Sequence, residues 1–243
     1  MARKTKKISE LLWLFGILFV SLGVCLCNKA DLGVSMIAAP SFIVAEALSV
    51  VCPFFSVGVT EYVLQGVLLI LMCAIMRKFH WIYLTSFIVA VLYGYTINLF
   101  LFLLKDVVIT AVYLRWLVLL VGIFLIGFGV ACFFRTYLPL QVYELFVAEI
   151  SKRFSLKLSK VKLVFDFSLL ALSLILVFTL FGDANSFDWS SIYYHSYHNV
   201  GLGTLVITVL NSPVISLCGK VIDKFFVPVP AFNKLCKFLE IKY

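Results

Sequence analysis

Carboxylate and amide side chains lie within apolar stretches of this sequence, where ionisable groups are costly to place. A charge at the centre of a bilayer costs about 2.5–3.5 kcal/mol on insertion scales, so such a residue usually faces a cavity or a partner. As a group, these side chains could coordinate a cation or relay protons, and a structural role is the alternative for each of them. The candidates for binding a coupling ion are Glu46, Glu61, Gln65 and Asp166.

A second group of polar residues is centred on the stretch 29–40. Asp31 can cap a helix that follows it, and Gly33 lets the backbone turn sharply. A short helix that starts inside a bilayer exposes unpaired amides and a positive dipole end, and both suit an anionic solute. The alternative is a plain helix–turn–helix connection at the membrane surface. The predicted solute site adds residues from a later stretch, and its candidates are Lys29, Asp31, Gly33, Ser35, Arg135 and Glu144.

The chain that carries these residues is too apolar for a soluble protein. Of its 243 residues, 63% are hydrophobic and 13% are charged, whereas soluble domains average about 45–50% and about 25%. We therefore predict an all-α, polytopic integral membrane protein in contact with the lipid bilayer. About eight apolar segments account for this composition, at 11–28, 33–51, 57–76, 80–104, 114–134, 138–150, 160–181 and 200–219.

The apolar segments form a series of four that occurs twice in the same order. This pattern predicts an internal duplication, with halves near 1–108 and 109–222 of a single membrane domain. Residues 223–243 alternate aromatic residues with lysines, which predicts a cytoplasmic or interfacial tail. The aligned positions are Gly23 with Gly129, Lys29 with Arg135, Glu61 with Lys162, Gln65 with Asp166, Thr85 with Thr204 and Gly94 with Pro213.

Two topologies fit the sequence, because segments 33–51 and 138–150 are short or interrupted by polar residues. If both cross the membrane, eight helices span it and the halves are parallel. If both re-enter, six helices span it and the halves are inverted, as in many transporters. Basic residues favour the cytoplasmic side; six spans place Arg77, Lys78 and Arg135 there, whereas eight spans place Lys105 and Arg115 there. The shortness of 138–150 favours the re-entrant topology.

Charge and motif content exclude several classes of function. The chain has 20 Lys and Arg against 12 Asp and Glu, and we interpret their short blocks as cytoplasmic loops rather than as a nucleic-acid surface. The seven cysteines contain no CxxC pair, and His195 and His198 have no third partner, so we predict no metal site. The sequence contains no nucleotide-binding GxxxxGK[ST] motif and no hydrolase motif, so we predict no enzyme and no cofactor.

The run Lys29-Ala-Asp-Leu-Gly-Val-Ser35 resembles the YczE/YyaS/YitT family of bacterial membrane proteins. In the YczE-like branch a similar "KADLGVSPWDAL" stretch opens the second segment, whereas the proline of this chain is displaced to Pro40. Residues 201–204 also resemble the "GLGTL" opening of that family's last helix. The resemblance extends over residues 10–222 and departs most at 135–140, where the family has a glycine-rich turn. It implies a multi-pass protein of the bacterial cytoplasmic membrane and no particular substrate.

We therefore expect a permease for a small solute, with an anion as one candidate, in the bacterial inner membrane. Its site would lie between 29–46 of one half and 135–149 of the other, and both termini would be cytoplasmic. An ion gradient would drive alternating access, because the sequence has no ATP-binding motif. The alternative is a non-transport accessory or regulatory membrane protein. In that case the polar residues pack helices, and the basic block 152–162 binds a protein partner.

Overall fold

The computed structural model of the protein describes residues 5–52, 54–182, 193–229 and 231–232. The helices of this part of the chain are α1 (Ser9–Ala30), α2 (Ala39–Ser49), α3 (Val57–Met76), α4 (Ile82–Leu103), α5 (Val112–Phe133), α6 (Val142–Arg153), α7 (Leu158–Phe181) and α8 (Leu202–Phe225). The strands are β1 (Thr5–Ile8) and β2 (Phe226–Val229). The eight helices follow the order of the predicted apolar segments, which confirms the helical fold class.

Six of these helices are long and apolar enough to cross a membrane, namely α1, α3, α4, α5, α7 and α8. The other two, α2 and α6, have 11 and 12 residues. At about 1.5 Å per residue each extends roughly 16–18 Å, well short of the ~30 Å hydrocarbon core of a bilayer. The described residues therefore contain six candidate spans and two short helices, as the six-span topology requires.

The connection between α1 and α2 turns without forming a helix over residues 31–38. The prediction that Asp31 caps the second helix is wrong, because α2 begins at Ala39 and Ala38 precedes it without a side-chain cap. Asp31 has a φ of 54°, and its carboxylate contacts other segments instead. Gly33 makes the predicted sharp turn with a φ of 112°, and a Cβ there would lie 2.8 Å from the amide nitrogen of Gly201.

The long helices α1 and α5 cross at contacts made by four glycines. A Cβ on Gly23 would lie 2.7 Å from the carbonyl oxygen of Gly122, and a Cβ on Gly129 would lie 2.8 Å from that of Gly16. Small residues let membrane helices approach this closely and gain van der Waals contact. On either side of the crossing, α4 packs on α1 and α8 packs on α5. These four helices supply most of the main apolar core.

The short helices α2 and α6 pack on the same two long helices, α3 and α7. The first five residues of each short helix are buried, and most of the later ones are partly or fully exposed. Both N-termini therefore lie deep in the bundle. The long helices turn apolar side chains outward, such as Ile70 and Val164 with exposed fractions of 72% and 70%, which is expected of a surface in contact with lipid.

The two ends of the described chain lie side by side. β1 and β2 pair in parallel, with Thr5 opposite Phe226. The backbone amides of Ala231 and Phe232 donate hydrogen bonds to the carboxylate of Glu10 in the first turn of α1. Of the tail predicted over 223–243, the first three residues belong to α8 and the next four to β2. Residues 230 and 233–243 lie outside the described residues.

Candidate functional site

A small interior cavity lies where the short helix α6 begins, close to the connection that leads into α2. Its volume is about 20 Å³, which is enough for one water-sized group. Segments from both halves of the chain line it. The apolar lining comes from α1, α5 and Ile37, and the remaining lining side chains are polar. The polar lining residues are Ser35, Tyr93, Gln141, Tyr143, Glu144 and Asn211.

Apart from the hydroxyl of Tyr143, which lies beside the Glu61 carboxylate, three polar atoms of this lining have no hydrogen-bond partner among the described residues. They are Nε2 of Gln141, Oε2 of Glu144 and Oδ1 of Asn211. The three residues are buried, with exposed fractions of 3%, 3% and 1%. A buried polar group without a partner costs about 1–3 kcal/mol. Three such atoms around one cavity therefore leave hydrogen-bonding capacity there that the described residues do not use.

Glu61 of α3 lies beside the first turn of α2 and is fully buried. Its carboxylate accepts one hydrogen bond from the hydroxyl of Ser41 and another, of 3.3 Å, from Nε2 of Gln65. Neither donor is charged. The side chains of Tyr143 and Glu144 at the start of α6 are also close to this carboxylate. Glu61 therefore connects the start of one short helix to the start of the other.

Lys162 and Asp166 lie one turn apart on α7 and form a buried ion pair. Nζ of Lys162 is 3.6 Å from Oδ1 of Asp166, and neither carboxylate oxygen accepts a hydrogen bond from the described residues. Lys162 also lies within electrostatic range of Glu144. The sequence placed Lys162 in a basic block at 152–162, but only the other basic residues of that block are exposed. We call the cavity lining together with Glu61, Gln65, Lys162 and Asp166 the polar centre.

The predicted solute residues Lys29 and Asp31 lie at one end of the bundle, where α1 ends. The Asp31 carboxylate is 3.0 Å from a guanidinium nitrogen of Arg115 and 2.6 Å from Nδ1 of His195, and it accepts a 2.9 Å hydrogen bond from Ser196. Lys29 donates to the backbone carbonyl of Lys105 at 3.2 Å. These contacts hold the segment before α8 against the end of α1, and we call this the Asp31 end.

A larger, open pocket of about 300 Å³ lies at the Asp31 end. Glu46 and Asn28 line it together with Asn199 from the second half of the chain. The Glu46 carboxylate is 2.7 Å from Nδ1 of His198 and accepts a 2.9 Å hydrogen bond from Asn199. Glu46 is exposed, so it belongs to this open pocket, which we call the vestibule, rather than to the polar centre.

Arg135 lies at the opposite end of the bundle, immediately after α5. Its guanidinium group forms a two-pronged ion pair with Asp223 of α8, and both nitrogen–oxygen distances are 2.6 Å. Nearby, the indole N–H of Trp13 donates a 3.0 Å hydrogen bond to the carbonyl of Pro139. The connection that leads into α6 is therefore tied to α1 and α8. We call this the Arg135 end.

The structure divides the predicted site residues among three places. The polar centre contains Ser35, Glu61, Gln65, Glu144 and Asp166, the Asp31 end contains Lys29, Asp31, Gly33 and Glu46, and the opposite end contains Arg135. Sequence reasoning missed Tyr93 and Tyr143, because aromatic residues are frequent along the chain and their spacing does not mark them. Gln141 could have been identified from the sequence, since it lies three residues before Glu144 at the start of a short segment.

Comparison with curated proteins gives no match, and comparison with solved structures gives none. A family match covers residues 7–220. This range includes every residue of the polar centre and the crossing of α1 and α5. The chain therefore belongs to the Family of unknown function (DUF6198).

Proposed function

We propose that the protein is a secondary permease for a small polar solute, with the cavity of the polar centre as its solute site. The observation that carries this proposal is the set of unpartnered polar atoms on Gln141, Glu144 and Asn211 inside that cavity. A purely structural core would pair these atoms, because each pairing stabilises a fold by about 1 kcal/mol. Atoms left unpaired in the interior are instead available to a ligand.

The unpartnered atoms define the chemistry of the solute. Gln141 offers an N–H donor, and the oxygens of Glu144 and Asn211 offer acceptors. A neutral primary amide or a polyol donates two hydrogen bonds and accepts at least one, so it satisfies all three atoms. An anion only accepts hydrogen bonds and would lie beside the Glu144 carboxylate. We therefore favour a neutral amide or polyol over the anion expected from the helix N-termini.

Alternating access follows from the ties at the two ends of the bundle. The cavity holds only a water-sized group, so a solute enters only if one end opens. Asp31 with Arg115 ties one end, and Arg135 with Asp223 ties the other. Opening one set of ties while the other holds exposes the polar centre to one side of the membrane at a time.

We also propose that the two halves are an inverted repeat. Each half contributes three candidate spans, an odd number, so the second half starts on the opposite side of the membrane from the first. In the aligned halves Gly16 corresponds to Gly122, and Gly23 corresponds to Gly129. Gly23 contacts Gly122 and Gly16 contacts Gly129, so exchanging the halves exchanges the two contacts. Such reciprocal contacts are typical of a two-fold axis.

We place the protein in the bacterial inner membrane with the Arg135 end in the cytoplasm. Exposed basic residues support this orientation, since Arg77, Lys78, Lys152 and Arg153 precede or follow the spans that reach that end. In this orientation both chain termini are cytoplasmic. The bacterial assignment rests on the resemblance of residues 29–35 and 201–204 to the YczE/YyaS/YitT family.

A thermal-unfolding screen of the purified full-length protein in detergent tests the solute site. The probes are acetamide and glycerol as neutral donors, sodium formate as an anion and ammonium chloride as a cation. A ligand at 100 times its Kd stabilises the folded protein by about 2.7 kcal/mol. We expect acetamide or glycerol to raise the unfolding temperature of the wild type and of Asn28→Leu, but not of Asn211→Leu. A shift caused only by formate contradicts the solute class, and a shift that persists in Asn211→Leu contradicts the site.

A further inference from the structure

The polar centre contains more acidic than basic groups. Its carboxylates belong to Glu61, Glu144 and Asp166 and its ammonium group to Lys162, with exposed fractions of 0%, 3%, 0% and 5%. With all four groups ionised, three negative charges and one positive charge give a net charge of −2. An uncompensated buried charge costs several kcal/mol, so two further positive charges must accompany these side chains.

Among the described residues, no positively charged side chain lies beside the first of these carboxylates. The hydrogen-bond donors to Glu61 are the hydroxyl of Ser41 and the amide of Gln65, and neither can neutralise a negative charge. The titratable groups beside Glu61 are Tyr143 and Glu144. Cys25 and Cys27 lie near its neighbour Tyr93. None of these carries a positive charge, so Glu61 needs a positive charge from outside the protein.

The other two carboxylates share one cation. Lys162 is 3.6 Å from Asp166 and also lies within electrostatic range of Glu144. Glu144 and Asp166 repel each other when both are ionised. Oε2 of Glu144 and both oxygens of Asp166 lack hydrogen-bond partners among the described residues. One of the two carboxylates is therefore balanced by Lys162, and the other needs a second external charge.

We propose that the coupling ion of the permease is the proton, and that Glu61 binds one proton while Glu144 and Asp166 share another. This inference rests on the proposed permease function. In each step a hydronium ion transfers its proton to a carboxylate oxygen, which leaves water and a neutral carboxylic acid, and no other bond changes. Two groups make this place more suitable for protons than for metal cations. The ammonium group of Lys162 already lies beside the shared pair, and the amide N–H of Gln141, which lines the cavity, is a donor and not a metal ligand.

Infrared spectroscopy of the full-length protein in lipid vesicles tests this proposal without a solute. A protonated carboxylic acid has a C=O stretch that is separate from the carboxylate and amide bands. We expect the wild type to show this absorption at neutral pH, Glu61→Gln to lose one component and Asp166→Asn to lose or shift another. The matched control is Glu46→Gln, which removes a carboxylate at the vestibule and should leave the absorption unchanged.

The outcomes separate this proposal from the permease itself. A wild type without carboxylic acid absorption at neutral pH overturns proton binding, whereas solute-induced stabilisation would still support the permease. An absorption that neither Glu61→Gln nor Asp166→Asn changes also overturns it, because the protons would then lie elsewhere. The helical signal in circular dichroism shows whether Glu61→Gln and Asp166→Asn fold. If neither variant folds, the infrared spectrum of the wild type decides whether protons are bound.

Discussion

Replacing Gly23 with alanine tests the close crossing of α1 and α5. The new Cβ would lie 2.7 Å from the carbonyl oxygen of Gly122, whereas ordinary van der Waals contact begins at 3.4 Å, so the helices must separate by about 0.7 Å (3.4 minus 2.7). The obstructing atom belongs to the backbone and cannot rotate away. Overpacking of this kind costs about 1–3 kcal/mol, and we expect the variant to lose that much of its packing free energy.

The matched control is Gly66→Ala on α3, where the new Cβ meets only the ring of Phe87, at 3.2 Å. Both variants gain the same helix propensity, about 1 kcal/mol, so the difference between them isolates the crossing. The measurement is the free energy of unfolding in mixed detergent micelles, followed by helical circular dichroism. We expect Gly23→Ala to be less stable than Gly66→Ala by about 1–3 kcal/mol. Equal stabilities would refute the described approach of the two helices.

Three further predictions concern the topology, the buried ion pair and the Asp31 end. Reporter domains fused after Lys78 and after Asp106 should lie on opposite sides of the membrane, with Lys78 on the side of the N-terminus; Lys78 on the side opposite the N-terminus contradicts six spans. Lys162→Met should lower the free energy of unfolding by about 3–5 kcal/mol, and adding Asp166→Leu should recover much of this loss; equal losses would contradict the pair. Asp31→Asn should speed amide hydrogen exchange over 193–200 several-fold and leave the crossing of α1 and α5 unchanged; unchanged exchange there would contradict the tie.

The sequence predicted the helices because apolar length is a local property. The third segment, predicted over 57–76, is observed as Val57–Met76. The sixth, predicted over 138–150 and interrupted by polar residues, is observed as the short helix Val142–Arg153. In both cases the residues that decide the outcome are neighbours in the chain, so spacing and composition suffice.

The membership of the polar centre could not be predicted in the same way. Asp31 and Ser35 are four residues apart, yet one lies at the end of the bundle and the other lines the cavity. The turn at Gly33 separates them, and it depends on contacts with Gly201 from the far half of the chain. Lys162 follows four exposed basic residues in sequence and becomes buried because α7 packs against other helices, α6 among them. Long-range packing decides these positions.

The start of each short helix already has a carboxylate beside it. Glu144 lies in the first turn of α6, and Glu61 accepts a hydrogen bond from Ser41 in the first turn of α2. A negative charge at a helix N-terminus is stabilised by typically 0.3–1 kcal/mol, up to about 2 kcal/mol when partly buried. When these carboxylates are ionised, they occupy the positions at the helix starts that the sequence suggested for an anionic solute.

Protonation of these carboxylates changes what the polar centre can bind. A neutral Glu144 has a hydroxyl that can donate a hydrogen bond, while its ionised form only accepts. The two protonation states therefore present different donor and acceptor patterns to a solute in the cavity. Solute binding favours the protonation state that binds the solute more tightly. The factor by which the solute changes the proton affinity equals the factor by which protonation changes the solute affinity. Under the proposed function, a carboxylate that both lines the cavity and binds the proton links the affinity for the solute to the affinity for the proton.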